Sequence, residues 1–430
     1  MRASWLVTTI VVSAFVALTA GSASAGSWDL DLSFSDDGRV KYPDVVGDSG
    51  NGVSVLGLIG QQVYATGTKS DGKSDSVFVM RTLADGTLDA SYGDGGITRT
   101  PSIHSRRDSP RTDAGLSADG SVVAAYAKGF GVPGSPGKVT IWRWTAEGVL
   151  DPSFSGDGVR RLHVPSYDES LDTFKGTTMP GLSTSVGVAV DSQGRVVVAA
   201  LGAGKDKGDI WIYRLTTGGE LDSAFSGDGL KRVDLYRIDW VDCLATDSDD
   251  RVLIGSDNYT STRASTYRGH VIRLSADGSF DPEFSGNGVV HIGIRQTDPL
   301  TMGVDTDGVV TVAMAGIKPG RDGAVRIRAD GTIDPAYGDN GLVTVDDDLL
   351  LLDAQVVDGR VALLLYPTGV AVDYSVVTTI SPSGRTVLRG RVNPYQAGFV
   401  NSVGLDGERV LVGGSLYNRG DGFLARYSLN

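Results

Sequence analysis

From residue 185 to residue 235 the chain is written in short apolar runs. SVGVAVD (185–191) sets valines between small residues, RVVVAALGA (195–203) is β-branched and apolar, and DIWIYRLT (209–216) alternates again before LKRVDL (230–235). Gly/Asp/Ser clusters separate the runs, which is the pattern of antiparallel strands joined by tight turns. The unit has four strands, and no stretch after residue 25 carries a helical period. Its first strand is the most apolar and recurs seven times: VSVLGLIG (53–60), AGLSAD (114–119), VGVAVD (186–191), DCLATD (242–247), MGVD (302–305), LLLDAQVVD (350–358) and SVGLDG (402–407). Its last strand, such as VRRLHV (159–164), mixes charge with apolar residues, as an exposed edge requires. The first strand is therefore expected at a central axis and the fourth at the rim.

A longer period lies over this one. The phrase L-D-x-x-F/Y closed by a D/N/G-G pair occurs six times, beginning at Leu30, Leu88, Leu150, Leu221, Phe280 and Ile333, with 58, 62, 71, 59 and 53 residues between successive aspartates. Such a period means repeated copies of one supersecondary unit. Four-stranded units set radially make a β-propeller; an open array would carry a polar capping unit at each end, and neither end has one. The expected fold is all-β, a seven-bladed β-propeller with four antiparallel strands per blade. It forms a single domain over 26–430, with blades near 52–101, 112–164, 183–236, 240–294, 298–346, 350–393, and 398–430 completed by 27–45.

An arginine stands eight residues before five of the aspartates: Arg81 before Asp89, Arg143 before Asp151, Arg214 before Asp222, Arg273 before Asp281 and Arg326 before Asp334. In the sixth unit Thr379 and Val387 take both places. Asp31 has only Ala23 at the matching position, while Arg426 has no aspartate after it. Arginines and aspartates balance only if the two chain ends share a blade. Residues 38–45 are then the outer strand of the seventh blade, and Asp31 pairs with Arg426 as a geometric clamp. The aromatic three residues after each aspartate (Phe34, Tyr92, Phe154, Phe225, Phe284, Tyr337) is expected to plug the space between neighbouring sheets.

These phrases, LDPSFSGDG and ADGTIDPAYGDNG above all, resemble the delta-60 repeat family of secreted and surface-associated bacterial proteins. The resemblance covers essentially the whole chain after residue 25. The sixth unit (SPSGRTVLRGRV) lacks the core phrase, and Phe280 and Ile333 replace leucine. The resemblance implies repeat architecture and export, and no reaction. The hairpin GVAVDSQGRVVVAA is more loosely similar to propellers of the NHL and lactonase/lyase groups.

Composition narrows the setting. Residues 1–25 combine Arg2, an apolar run over 5–20 and Ala23-Ser24-Ala25, the pattern of a secretory signal peptide. The run is shorter than the roughly 20 apolar residues of a membrane span. The protein is expected to be secreted, extracellular or at the cell surface, monomeric, and without a membrane span after leader removal. Its one cysteine, Cys243, allows no intramolecular disulfide and reads as a buried small hydrophobe. A net charge of −13 disfavours nucleic acid, which leaves an unidentified extracellular protein or a glycan as the expected partner.

Candidate chemistry is sparse. Acidic-glycine turns at Asp85, Asp277, Asp330 and 305–308 invite a calcium reading, yet they lack the glutamate that closes an EF-hand loop. Asx turns need the same residues. His104, His163, His270 and His291 form no HxH or HExxH spacing and are read as falling in different repeats. No G-x-S-x-G elbow or phosphate loop is present. Two connections into inner strands stand out, the locally basic 101–112 and the long 165–183, and binding concentrates on such insertions. The expected function is a binding or surface-interaction scaffold, without a cofactor, that uses this axial end. The alternative is a metal-dependent lactonase- or lyase-like enzyme at the axial channel mouth. As the lactonase-type similarity implies, Asp113, Asp242 and Asp353, near the starts of inner strands, would there hold a divalent cation such as calcium.

Overall fold

The computed structural model describes residues 28–47, 52–71, 74–103, 111–128, 137–165, 186–202, 208–235, 238–259, 267–295, 297–316, 321–345, 349–367, 374–395, 398–417 and 420–429. All regular elements among them are strands, and among the described residues no helix is long and apolar enough to cross a membrane. The strands form seven antiparallel sheets. Blade 1 is 54–59, 62–70, 75–82 and 97–99; blade 2 is 111–116, 122–128, 137–144 and 159–164; blade 3 is 186–190, 196–202, 209–215 and 230–233. Blade 4 is 238–239 with 243–246, then 252–259, 267–274 and 289–295; blade 5 is 297–304, 310–316, 322–327 and 342–345; blade 6 is 349–357, 360–367, 375–380 and 386–392. Blade 7 takes 398–406, 409–416 and 422–429 from the C-terminal end, and Trp28–Leu30 and Arg39–Tyr42 from the N-terminal end complete its outer edge.

The first strands of successive blades pack on one another around the axis, and the first strand of blade 1 packs on that of blade 7. Sheets that converge there tolerate little bulk, which accounts for the small residues of the inner strands. A Cβ on Gly404 would lie 2.4 Å from a methyl of Val55 across the blade 7–blade 1 seam. Apolar side chains fill the space between neighbouring blades: Ala362 and Val377 of blade 6 share one cluster with Val403, Val412 and Phe423 of blade 7.

The arginine–aspartate pairs form as the spacing predicts. All six are ion pairs, Arg81–Asp89 2.9 Å, Arg143–Asp151 3.3 Å, Arg214–Asp222 2.8 Å, Arg273–Asp281 2.7 Å, Arg326–Asp334 3.7 Å and, across the chain ends, Arg426–Asp31 2.8 Å. The backbone repeats the pattern at the closure. Asp31 donates its amide to the Arg426 carbonyl and Arg426 donates to Gly38, as Asp89 does to Arg81 and Arg81 to Gly96. Each guanidinium also reaches forward, its Nη1 donating to a carbonyl of the following blade: Arg81 to Ala146 at 2.6 Å, Arg273 to Ala329 at 2.8 Å, Arg426 to Ala84 at 3.1 Å. The clamp therefore fixes a turn within one blade and fastens that blade to the next.

The motif aromatics are fully buried, and four of them lie beneath their guanidiniums, Tyr92 under Arg81, Phe225 under Arg214, Phe284 4.3 Å from Arg273 and Phe34 4.8 Å from Arg426. Each also meets a glycine in a turn of the next blade. At Gly86 (φ +82) a Cβ would stand 2.6 Å from Phe34, so both the left-handed backbone and the ring demand glycine there. That glycine precedes its motif aspartate by three residues in blades 1 to 5; in blade 7 the same place is Trp28. Trp28 is buried, packs on Ala362, Val377 and Leu388 of blade 6, and donates Nε1–H to the Val377 carbonyl at 3.3 Å.

Candidate functional site

Alternating strand direction divides the molecule into two faces. The turns between first and second strands and between third and fourth strands lie on one face, where the clamps sit. The connections between blades and those between second and third strands lie on the other. On the clamp face the acidic-glycine turns are Asx turns: Asp85 accepts from the Thr87 amide (2.9 Å) and hydroxyl (2.6 Å), and Asp277 and Asp330 do the same with Ser279 and Thr332. Burial works against ionisation of Asp31, but the Ser33 hydroxyl and amide, Arg426 and Arg409 outweigh it and hold that carboxyl down at about 2.

The other face carries the two connections singled out in the sequence. Residues 104–110 and 166–185 lie outside the described residues. The three aspartates of the alternative reading lie on or beside the first strands of blades 2, 4 and 6, each with its own neighbours. Asp113 accepts from the Val188 amide of blade 3 at 2.7 Å, and Asp353 from the Val403 amide of blade 7 at 2.8 Å. Burial pushes both up to about 6, against the pull of these amides. The two carboxylates thus tie the inner strand of one blade to that of the next. Asp242 is 5% exposed, on blade 4. Burial and the charges of Asp257 and Asp298 raise its carboxyl well above the usual range; burial raises Asp257 and Asp298 too.

Asp257 and Asp298 are missing from the sequence reading because they belong to a second strand and to the next blade, with no shared spacing to Asp242. A second acidic group was also not legible. Asp209, Asp234 and Asp239 bring one carboxylate oxygen each within 4.8 Å of the others and are the group of three that could hold a metal ion among the described residues. Arg232 already pairs with Asp209 and, at 3.2 Å, with Asp234, while Asp239 accepts from the Leu235 amide. The histidine reading needs correction: His270 and His291 share blade 4, on its third and fourth strands, with ring centres 4.5 Å apart. Burial and the neighbouring imidazole drive His270 down to about 3, so it is a neutral packing residue at ordinary pH. Burial likewise raises the Cys243 thiol, the opposite of an activated thiolate.

Comparison with known proteins adds to the geometry at one place. The family profile described as "Domain of unknown function (DUF5122) beta-propeller" matches residues 248–284, which hold the Arg273–Asp281–Phe284 clamp of blade 4. The chain is a propeller of repeated blades. No curated protein matches it. Similar solved structures include "polysaccharide lyase Uly1" (11% identity, 90% of each chain, TM-score 0.49) and an acylaminoacyl peptidase of Pyrococcus horikoshii (10% identity, TM-score 0.46). The chain covers 53% of that peptidase's length.

Proposed function

We propose that the protein is an exported binding or surface-interaction scaffold whose contact face is the end opposite the clamps. The observation that carries this reading is the asymmetry of the disc. On one face the recurrent charges are consumed by the repeat itself, in ion pairs, Asx turns and blade-to-blade hydrogen bonds. The other face holds the connections that differ most in length and composition, supported by a ring fastened at six seams. A rigid scaffold with variable loops is the usual arrangement for recognition. Asp113 and Asp353 are engaged with backbone amides, in keeping with a structural use of the inner ring.

The test is direct. The leaderless protein and a variant with Gly-Ser turns in place of 101–112 and 165–183 are labelled and applied to arrays of extracellular proteins and uncharged glycans. Binding by the parent and its loss in the loop variant, with unchanged melting temperature, is the expected result; a variant that binds as well as the parent counts against the face. The rival reading, a metal-dependent lactonase- or lyase-like enzyme, needs a divalent cation on Asp113, Asp242 and Asp353, two of which already accept backbone amides. It requires stoichiometric divalent metal in the purified protein, and its absence after purification without chelator removes it.

A further inference from the structure

The outer strand of blade 7 breaks a rule kept by the blades that share its motif. Directly after the glycine that closes the phrase, those blades carry an apolar residue: Ile97, Val159, Leu230, Val289 and Leu342. Blade 7 carries Arg39. A departure from an otherwise consistent local pattern is where function is to be sought. Here it coincides with another departure, the loss of the whole phrase from blade 6, so that no motif loop projects from that blade toward blade 7.

A cleft of about 730 Å³ lies at this place on the rim, between the Arg39 strand and the connection that leaves blade 6. It is lined by Asp37, Arg39, Lys41, Asn393, Pro394 and Tyr395. Arg39 is held from two sides, by Asp37 at 2.9 Å and by the Pro394 carbonyl at 2.5 Å. Lys41 is exposed and has no ion pair among the described residues; its ammonium stands 4.7 Å from the centre of the Tyr395 ring, as the Arg39 guanidinium does at 5.1 Å. Tyr395 is itself braced edge-on against the buried Phe423, with ring centres 5.2 Å apart. The cleft therefore presents two cations against one carboxylate on a protein whose net charge is −13.

We propose that this cleft binds a carboxylate-bearing sugar unit of an acidic glycan. Arg39 and Lys41 receive the carboxylate, where charge-assisted hydrogen bonds are strongest. Asp37 and Asn393 offer the acceptors and the amide donor that sugar hydroxyls need, and Pro394 with Tyr395 supplies apolar surface for the ring. One excess positive charge suits a single carboxylate at the cleft. The site is on the rim and independent of the contact face proposed above.

The experiment titrates tetragalacturonate into the leaderless protein by calorimetry, with maltotetraose and tetraglutamate as comparators, at low and high salt. Tetragalacturonate is expected to bind, more weakly as salt rises, and the two comparators are not. Lys41→Ala, and Arg39→Leu, which restores the residue type of the other blades, should each weaken binding about tenfold or more, with Lys41→Arg retaining it. Absence of tetragalacturonate binding, equal binding of tetraglutamate, or undiminished binding by a folded Arg39→Leu/Lys41→Ala protein would each overturn the proposal. The protein with replaced 101–112 and 165–183 loops should bind tetragalacturonate unchanged, so failure of either reading leaves the other standing.

Discussion

Replacing Arg426 by alanine tests the closure of the ring. Its guanidinium is 6% exposed and donates Nε to Asp31 at 2.8 Å, Nη2 to the Ser33 hydroxyl at 2.9 Å and Nη1 to the Ala84 carbonyl at 3.1 Å, over the face of Phe34. Removing one partner of a buried ion pair costs about 3–5 kcal/mol, because the other charge stays buried without it. Arg409 softens the loss, since it already reaches Asp31 at 3.2 Å and Asp406 at 3.3 Å, which places the expectation near the lower figure, about 3 kcal/mol. An unfolding entropy of about 2.1 cal/mol/K per residue over roughly 400 residues gives about 0.85 kcal/mol/K, so the melting temperature should fall by about 3–4 °C. Arg360→Ala is the control, since its partner Glu408 is 66% exposed and such pairs contribute under about 1 kcal/mol. Calorimetry of both variants, with Asp31→Leu and the Asp31→Leu/Arg426→Ala double variant, completes a cycle whose coupling should reach about 2 kcal/mol. If Arg426→Ala melts within 1 °C of Arg360→Ala, the clamp does not hold the ends together. Deleting 26–46, which removes Asp31 and the whole outer strand, should destabilise far more.

Two further outcomes follow from the same geometry. Gly86→Ala must place a methyl 2.6 Å from Phe34 at φ +82, whereas Gly60 has φ +60 and open space around it; urea unfolding should show about 1–2 kcal/mol for Gly60→Ala and at least about 1 kcal/mol more for Gly86→Ala, and equal costs would refute the packing of that ring on the turn. Asp113 and Asp353 have folded pKa values near 6, raised from 3.8, so the stability they supply is full below about pH 4 and is lost as pH rises through 6. The melting temperature should accordingly be higher at pH 5 than at pH 7.5. The Asp113→Asn/Asp353→Asn protein should show a smaller difference, and an identical pH profile would refute the assignment.

What could be read from the sequence was whatever repeats at a fixed offset. The eight-residue step from arginine to aspartate spans the end of a third strand and one turn, a local relation that every copy restates, and the mismatch of Asp31 and Arg426 was enough to join the chain ends. The forward hydrogen bond of each guanidinium was not legible, because its acceptor is a backbone carbonyl about 56 to 65 residues away in blades 1, 4 and 5, and a carbonyl has no residue identity. The same reason hid the amides held by Asp113 and Asp353. The groups Asp242–Asp257–Asp298 and Asp209–Asp234–Asp239 were hidden because each draws on two blades at unrelated spacings. One signal was present and unused: Trp28 stands where the other copies have glycine.

That substitution explains the sixth unit. At the other seams a blade contributes an arginine, an aspartate and an aromatic, and the next blade contributes a carbonyl and a glycine from the turn between its third and fourth strands. Among the described residues blade 7 has no such turn: its third strand, 422–429, and its outer strand, 39–42, are not consecutive in sequence, and Trp28 pairs with Leu429. An arginine at position 379 would find no turn carbonyl in front of it, and a motif aromatic would meet Trp28 instead of glycine. The sixth unit has Thr379, Val387 and, three residues on, Gly390, and Trp28 packs on Val377 and Leu388 of that blade. The missing phrase of the sixth unit thus goes with the discontinuous sheet of blade 7. It also leaves the rim between blades 6 and 7 without a motif loop, which is where Arg39 and Lys41 face the cleft.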